Sequence, residues 1–207
     1  MRAHELVRAL SRHVTDERVL AAVAAVPREL FVPAGLRGRA WDNEPLPIGE
    51  GQTISQPLVV ARMCQLLALS GRERVLDVGT GSGWHAALLA RLAAEVVSIE
   101  RHPALSRRAA RNLAAAGVEN VTLVVGDGAL GHAPCAPYDA INVAATSSSG
   151  IPAALEDQLA DGGRLVIPVE EGRQRLVLVR RRGDELDRRR LEAVRFVPLV
   201  RERSDAG

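Results

Sequence analysis

Apolar residues recur along this chain with two periods, and the period changes mark its elements. Residues 2–10 and 16–25 carry helical spacing and read as two amphipathic helices. In the second, Val19, Leu20, Val23 and Val26 share a stripe, Thr15 or Asp16 suits the N-cap, and Pro27 ends the run. A proline-bounded connector follows to Pro33, and a third helix is predicted over 58–69, with Val59, Met63, Leu66 and Leu67 on one side. Short apolar runs then alternate with helical ones. Strands are expected at 74–78, 96–100, 121–125 and 138–144, and helices at 83–92, 103–116 and 152–159, the last stopped by Gly162-Gly163. Extended pieces at 164–168, 175–181, 187–191 and 195–200 complete the set. Repeated β-α units of this kind predict an α/β, doubly wound, mostly parallel sheet, whose ligands lie beyond the carboxyl ends of the strands.

Two stretches break the pattern. Residues 41–57 have neither period and are rich in Gly, Pro and small polar residues, so a long irregular loop is expected there. Its Leu46, Ile48 and Ile54 argue that it packs over something. The second stretch is Asp77-Val78-Gly79-Thr80-Gly81-Ser82-Gly83, where a buried strand stops at three glycines and a helix begins. Glycine there lets a ligand approach bare backbone at a helix N-terminus. The spacing is not the G-x-G-x-x-G of a dinucleotide fold; it resembles the nucleoside loop of S-adenosylmethionine-dependent methyltransferases. A glycine-rich turn without a ligand is the alternative.

Composition narrows the class. The chain has 207 residues, 47% apolar and 25% charged, with a formal charge of +2. One domain over 1–207 is expected, with 1–57 as N-terminal helices and loop and 58–207 as the Rossmann-like core. The small charge gives no argument for nucleic acid, and the arginines at 180–182 and 188–190 flank Gly183-Asp184 as a solvated hairpin tip would. No apolar run approaches the roughly 20 residues of a membrane span, no secretory core follows the N-terminus, and Cys64 and Cys135 lack metal-ligand spacing. A reduced, cytoplasmic protein, with no membrane, nucleic acid or metal, is the expectation.

Candidate chemistry gathers at the strand ends. Glu100 closes the second strand, where an acid can accept from both ribose hydroxyls. In Gly126-Asp127-Gly128 the Asp127 carboxylate can accept from an adenine amino group while the Gly128 backbone reads a ring nitrogen. Asp77, costly if buried alone, is expected to accept from loop amides or to reach a cofactor ammonium group. The histidines His4, His13, His85, His102 and His132 form no constellation and are expected to be solvated or internally satisfied; Gly81-Ser82-Gly83 is no nucleophile elbow.

Pro45-Leu46-Pro47-Ile48-Gly49-Glu50-Gly51-Gln52-Thr53-Ile54-Ser55-Gln56-Pro57 closely resembles the signature stretch of protein-L-isoaspartate O-methyltransferases. Val26-Pro27-Arg28-Glu29, Phe31-Val32-Pro33, Ala136-Pro137-Tyr138-Asp139-Ala140-Ile141, Gly162-Gly163-Arg164-Leu165 and Val194-Arg195-Phe196-Val197-Pro198-Leu199 agree, so the resemblance spans about 15–199. It implies a seven-stranded methyltransferase sheet with an N-terminal helical extension. It also implies methyl transfer from S-adenosyl-L-methionine to the α-carboxylate of L-isoaspartyl residues in damaged proteins or peptides, leaving S-adenosyl-L-homocysteine. The ester then closes a succinimide without the enzyme. Ser55 takes the place of the family's active-site serine. The cofactor residues implied are Gln52, Thr53, Ile54, Asp77, Gly79, Thr80, Gly81, Ser82, Gly83, Glu100, Arg101, Asp127 and Gly128, in an enzyme expected to be a monomer. Departures are Trp84 for Tyr, Asp77 for Glu, and residues 142–150, where Asn142 and Ala144 replace an apolar residue and Thr. Two alternatives stay open: methylation of aspartate in a dedicated precursor peptide, or a non-catalytic nucleoside-binding module. A nicotinamide oxidoreductase fits the glycine spacing poorly.

Overall fold

The computed structural model describes residues 2–200. Two helices, α1 (Ala3–Leu10) and α2 (Glu17–Ala25), open the chain. The Asp16 side chain caps α2 by accepting from the amides of Arg18 and Val19, which are orphaned in the first turn. Short 3-10 turns at Arg28–Phe31 and Ala34–Arg39 lead to β1 (Leu46–Gly49), β2 (Gln52–Ile54) and α3 (Pro57–Leu67). The alternating core follows as β3 (Arg74–Val78), α4 (Trp84–Leu92), β4 (Glu95–Glu100), α5 (Pro103–Ala115), β5 (Val121–Val125) and β6 (Tyr138–Val143). It ends with α6 (Ala153–Asp157), β7 (Leu159–Glu171), β8 (Arg173–Arg182) and β9 (Glu185–Ala193).

Seven strands make one sheet in the order β5-β4-β3-β6-β7-β8-β9. Pairing is parallel from β5 to β7 and antiparallel at β7–β8 and β8–β9. The chain steps outward from β3 to β4 and β5, then returns to the other side of β3 as β6. The switch point therefore lies between β3 and β6, where such sheets receive ligands. Alternate strand residues enter two apolar layers. Val75, Val96, Ala140 and Val166 meet a core that runs on through α3–α5, α1, α2 and the β1–β2 hairpin. Leu76, Val97, Ile141 and Leu165 meet a second core holding Leu155 of α6.

Three expectations need correction. The irregular loop at 41–57 contains an antiparallel hairpin, β1–β2, with Leu46, Ile48 and Ile54 buried. Its two-residue turn puts Glu50 at φ 52° and Gly51 at φ 68°, and Glu-Gly lacks the Asn-Gly or Asp-Gly signature that such a turn usually carries. The helix expected over 152–159 spans only Ala153–Asp157, because Leu159 already pairs with Tyr138 and β7 runs straight through Gly162-Gly163. The strand expected at 195–200 is a single bridge from Pro198 to Thr146.

The turn into β3 is held by one carboxylate. Glu73 accepts from the amides of Ser70, Gly71 and Arg72 and from the Ser70 hydroxyl. Burial alone would raise its pKa, but the Ser70 hydroxyl and the turn amides outweigh burial and hold it down to about 2. A depressed carboxyl pKa contributes stability that is complete above the unfolded value and is lost as pH falls through the folded one. Glu73→Gln should therefore lower stability at neutral pH by about 1–2 kcal/mol and flatten the loss between about pH 4.5 and 2. Denaturant midpoints measured across that range check both effects.

Candidate active site

A cleft opens at the carboxyl ends of β3, β4 and β6, over the switch point. Its floor is the loop from Val78 to Ser82, where Gly79, Gly81 and Gly83 stand at φ 92°, 55° and 94°, a region that favours glycine. The amides of Gly79 and Thr80 turn back to the Ile99 carbonyl at 2.9 and 3.2 Å, clamping the loop to β4. Glu100, 5% exposed, lines the wall with its carboxylate held in place. Oε2 accepts from the Gly81 amide at 2.8 Å and Oε1 from the His102 amide at 2.9 Å. Gly128 comes so close to β3 that an added Cβ would meet Val78 Cγ1 at 2.3 Å.

The hairpin forms the roof. Gln52, Thr53, Ile54 and Ser55 face the cleft, and Ile48 reaches over Gly81, whose added Cβ would meet Ile48 Cδ1 at 3.3 Å. Two arginines fasten the hairpin, Arg108 through one of its own carbonyls and Arg28 through carbonyls that flank it. Arg108 of α5 donates to Ile48 O. Arg28, fully buried, donates to the carbonyls of Ala40, Asp42 and Glu44, and to Ser55 O at 2.9 Å. Its guanidinium lies 5.0 Å from the centre of the Trp84 ring, a cation–π contact at the start of α4. Burial lowers the Arg28 pKa to about 10 while Asp42 and Glu44 oppose that shift, so the side chain stays charged at neutral pH.

Most of the residues singled out in the sequence meet here: Gln52, Thr53, Ile54, Ser55, Gly79, Thr80, Gly81, Ser82, Glu100, Arg101 and Gly128 line one cleft. Asp127 stands beside it, capping the turn at Gly128–Leu130 by accepting from the Ala129 amide. Gly83 sits beneath the loop, where an added Cβ would meet Ala109 of α5 at 3.3 Å. Asp77 differs from expectation. It is fully buried and accepts from Ser98 Oγ and Asn142 Nδ2, both at 2.7 Å, instead of from loop amides. His85 differs too: it lies on the cleft wall, 7% exposed, with its pKa lowered by burial to about 3.

Sequence reasoning missed the tail in the far wall. Ala144 and Ala145 after β6 and residues 197–200 close the cleft on that side. The Thr146 amide donates to Val197 O at 2.8 Å, and the Leu199 amide to Thr146 O at 2.7 Å, so the tail is laced to the loop after β6. Nothing local in the sequence announces that pairing. Among the described residues no His/Cys/Asp/Glu group of three or more could hold a metal, and no helix is long and apolar enough to cross a membrane.

Comparison with known proteins adds a family. The protein-L-isoaspartate(D-aspartate) O-methyltransferase family matches residues 1–204. A protein-L-isoaspartate O-methyltransferase of Methanoculleus marisnigri is 54% identical over 192 residues, covering 92% of this chain and 86% of its own. That of Aeromonas hydrophila is 50% identical over 191 residues, covering 92% and 93%. Among solved structures, a protein-L-isoaspartate O-methyltransferase superposes with TM-score 0.87 at 28% identity, over 95% of this chain; the chain spans 65% of that one. A Plasmodium falciparum protein described as a protein-L-isoaspartate O-methyltransferase, in complex with S-adenosyl-L-homocysteine, gives TM-score 0.83 at 26% identity, covering 97% of this chain and 99% of that one.

Arg28→Met would strip one buried donor from several carbonyls at once. It should cost about 3 kcal/mol or more in urea denaturation. Arg28→Lys should recover only part of it, since one ammonium cannot span carbonyls that a planar fork reaches together.

Proposed function

The chain belongs to the protein-L-isoaspartate(D-aspartate) O-methyltransferase family, and on that premise we propose how its residues divide the work of the reaction. The enzyme methylates the free α-carboxylate of L-isoaspartyl residues in damaged proteins and peptides, using S-adenosyl-L-methionine, and so starts repair through a succinimide. The observation that carries the division of roles is that Ser55, the glycine loop and Glu100 border the same cleft.

The cleft suits the cofactor. Its floor is backbone bare of Cβ atoms, its wall carries a carboxylate oriented by two amides, and the space that a Cβ at Gly128 would need is already taken by Val78. Gly79, Thr80, Gly81, Ser82 and Gly83 would cradle the nucleoside. Glu100 would accept from the ribose hydroxyls, Asp127 and Gly128 would read the adenine, and Gln52, Thr53, Ile54 and Arg101 would close over the remainder. Asp77 would act from beneath, by setting the orientation of the groups that surround it. When bound, the sulfonium supplies a methyl group already activated for transfer.

The acceptor is a carboxylate, ionised at neutral pH, so the protein has no proton to remove before attack. What its residues must do is hold one oxygen in line and keep water away. Ser55 carries this role: its carbonyl is gripped by Arg28, which fixes the backbone from which the hydroxyl reaches the carboxylate. Ile54 of the hairpin and the tail residues Val197, Pro198, Leu199 and Val200 supply the apolar surface that sheds water from the site. The reading also takes the enzyme as a monomer in the cytoplasm, a reducing compartment that accords with its two unpaired cysteines.

Ser55→Ala should lower kcat about 100-fold through lost positioning while S-adenosyl-L-homocysteine affinity stays within about twofold. Equal losses of both would move Ser55 from the acceptor to the cofactor. Two peptides differing only as L-isoaspartyl or L-aspartyl, offered with methyl-labelled cofactor, test the substrate. Base-labile ester should form on the isoaspartyl peptide alone, and label on the aspartyl peptide would instead favour a dedicated precursor.

A further inference from the structure

Three neighbouring strands each place one polar side chain in the same row. Parallel register pairs Asp77 of β3 with Ser98 of β4 on one side and Asn142 of β6 on the other. All three are fully buried, and they lie under the first turn of α4, which brings His85 onto them. Thr80 Oγ1 meets Ser98 Oγ at 2.6 Å, Ser98 Oγ donates to Asp77 Oδ2, and Asn142 Nδ2 reaches both Asp77 Oδ1 at 2.7 Å and His85 Nδ1 at 3.2 Å.

With Asp77 ionised, the chain of bonds fixes where the imidazole proton sits. The Asp77 carboxylate takes hydrogen bonds from its neighbours, so the Asn142 amide must turn its NH2 toward it. The second hydrogen of that NH2 points at His85 Nδ1, which therefore accepts. In a neutral ring the proton is then on Nε2. Burial lowers the His85 pKa to about 3, which keeps the ring neutral at physiological pH. Yet Nε2 is buried and has no hydrogen-bond partner among the described residues, and His85 lines the cleft. A buried donor left unmet in this way is uncommon. This one borders a ligand site.

Its position in the sheet limits which part of a ligand it can meet. Glu100 and Asp127 stand at the ends of β4 and β5, on one side of β3. His85 is tied to Asn142 of β6, on the opposite side of β3. It thus faces the end of the cleft away from the groups assigned to ribose and adenine. Resting on the proposed methyl-transfer reading, we propose that His85 is a ligand-binding residue whose Nε2–H donates to a carboxylate oxygen, with Asn142 and Asp77 as positioning residues that fix its tautomer. Both molecules of the reaction present that chemistry: the amino-acid end of the cofactor and the isoaspartyl acceptor.

The test separates the two sources. Nitrogen-15 histidine spectra, with His85 assigned by its loss in His85→Gln, should show the Nε2–H tautomer in the free protein. The Nε2 signal should shift when S-adenosyl-L-homocysteine or isoaspartyl peptide is added. By calorimetry and steady-state kinetics, His85→Leu should lose about tenfold in one of two quantities, the usual scale for one hydrogen bond to a charged group. Weaker binding of S-adenosyl-L-homocysteine with an unchanged peptide KM assigns the cofactor carboxylate. A raised peptide KM with unchanged product binding assigns the acceptor. His85→Gln, which keeps a donor, should recover most of the loss, and circular dichroism confirms that each variant is folded. Asn142→Leu should mix the two tautomers and lose about two- to threefold in the same quantity, because apparent affinity falls with the fraction of the competent tautomer. An Nδ1–H tautomer in the free protein, or a folded His85→Leu with both quantities unchanged, would overturn the proposal. Wild-type protein that binds S-adenosyl-L-homocysteine but leaves isoaspartyl peptide unmethylated would defeat the substrate reading alone, and the tautomer and product-binding results would still decide the role of His85.

Discussion

A buried guanidinium holds the cleft together. Arg28 is cut off from water, and burying a charge is costly unless its donors are met. Here the two terminal nitrogens donate to main-chain carbonyls spread along the chain from Ala40 to Ser55, and Trp84 covers the flat face, while Nε keeps no hydrogen-bond partner among the described residues. Those partners belong to the connector, the exit of the hairpin and the first turn of α4. One side chain thus sets the distance between the roof carrying Ser55 and the floor formed by the glycine loop. The apolar core makes the same join, running without a break from α1 and α2 through the hairpin to α3, α4 and α5.

With the frame rigid, the polar groups can be spent on geometry. The Glu100 carboxylate is fixed by two amides before any ligand arrives, and Asp77 is consumed beneath the loop by Ser98 and Asn142. Buried and fully partnered, Asp77 behaves as a structural brace, and burial raises its pKa. Such a site is arranged for positioning more than for proton transfer, which matches an acceptor already ionised and a methyl group already activated.

The departures from the family pattern divide along the same line. Asn142 does not enter the cleft at all; it faces Asp77 and His85 in the buried row. Ala144 and Ala145 do line the cleft, and the loop beyond them binds the tail that forms the far wall. A departure read in sequence as one altered loop is, in space, a change in the support under the site and a separate change in its wall.

Local pattern was enough for most of the parallel strands and for the position of the glycine loop. The strands at Arg74–Val78 and Val121–Val125 fall where the apolar runs placed them: β3 is buried on both faces and β5 is an edge strand of β-favouring Val and Thr, while glycine alone suits the turn that follows β3. The candidate residues of the signature stretch and the glycine loop likewise meet around one cleft. The hairpin escaped because its turn uses Glu-Gly and its strands are four and three residues long, too short to display a period. The Ser98–Asp77–Asn142 row escaped for a deeper reason. Each residue is a single polar position between two apolar neighbours in its own strand, and the residues are 21 and 65 positions apart at the bonded pairs. Their meeting depends on strand order and register. Those are settled by packing between distant segments, which no local run of residues records.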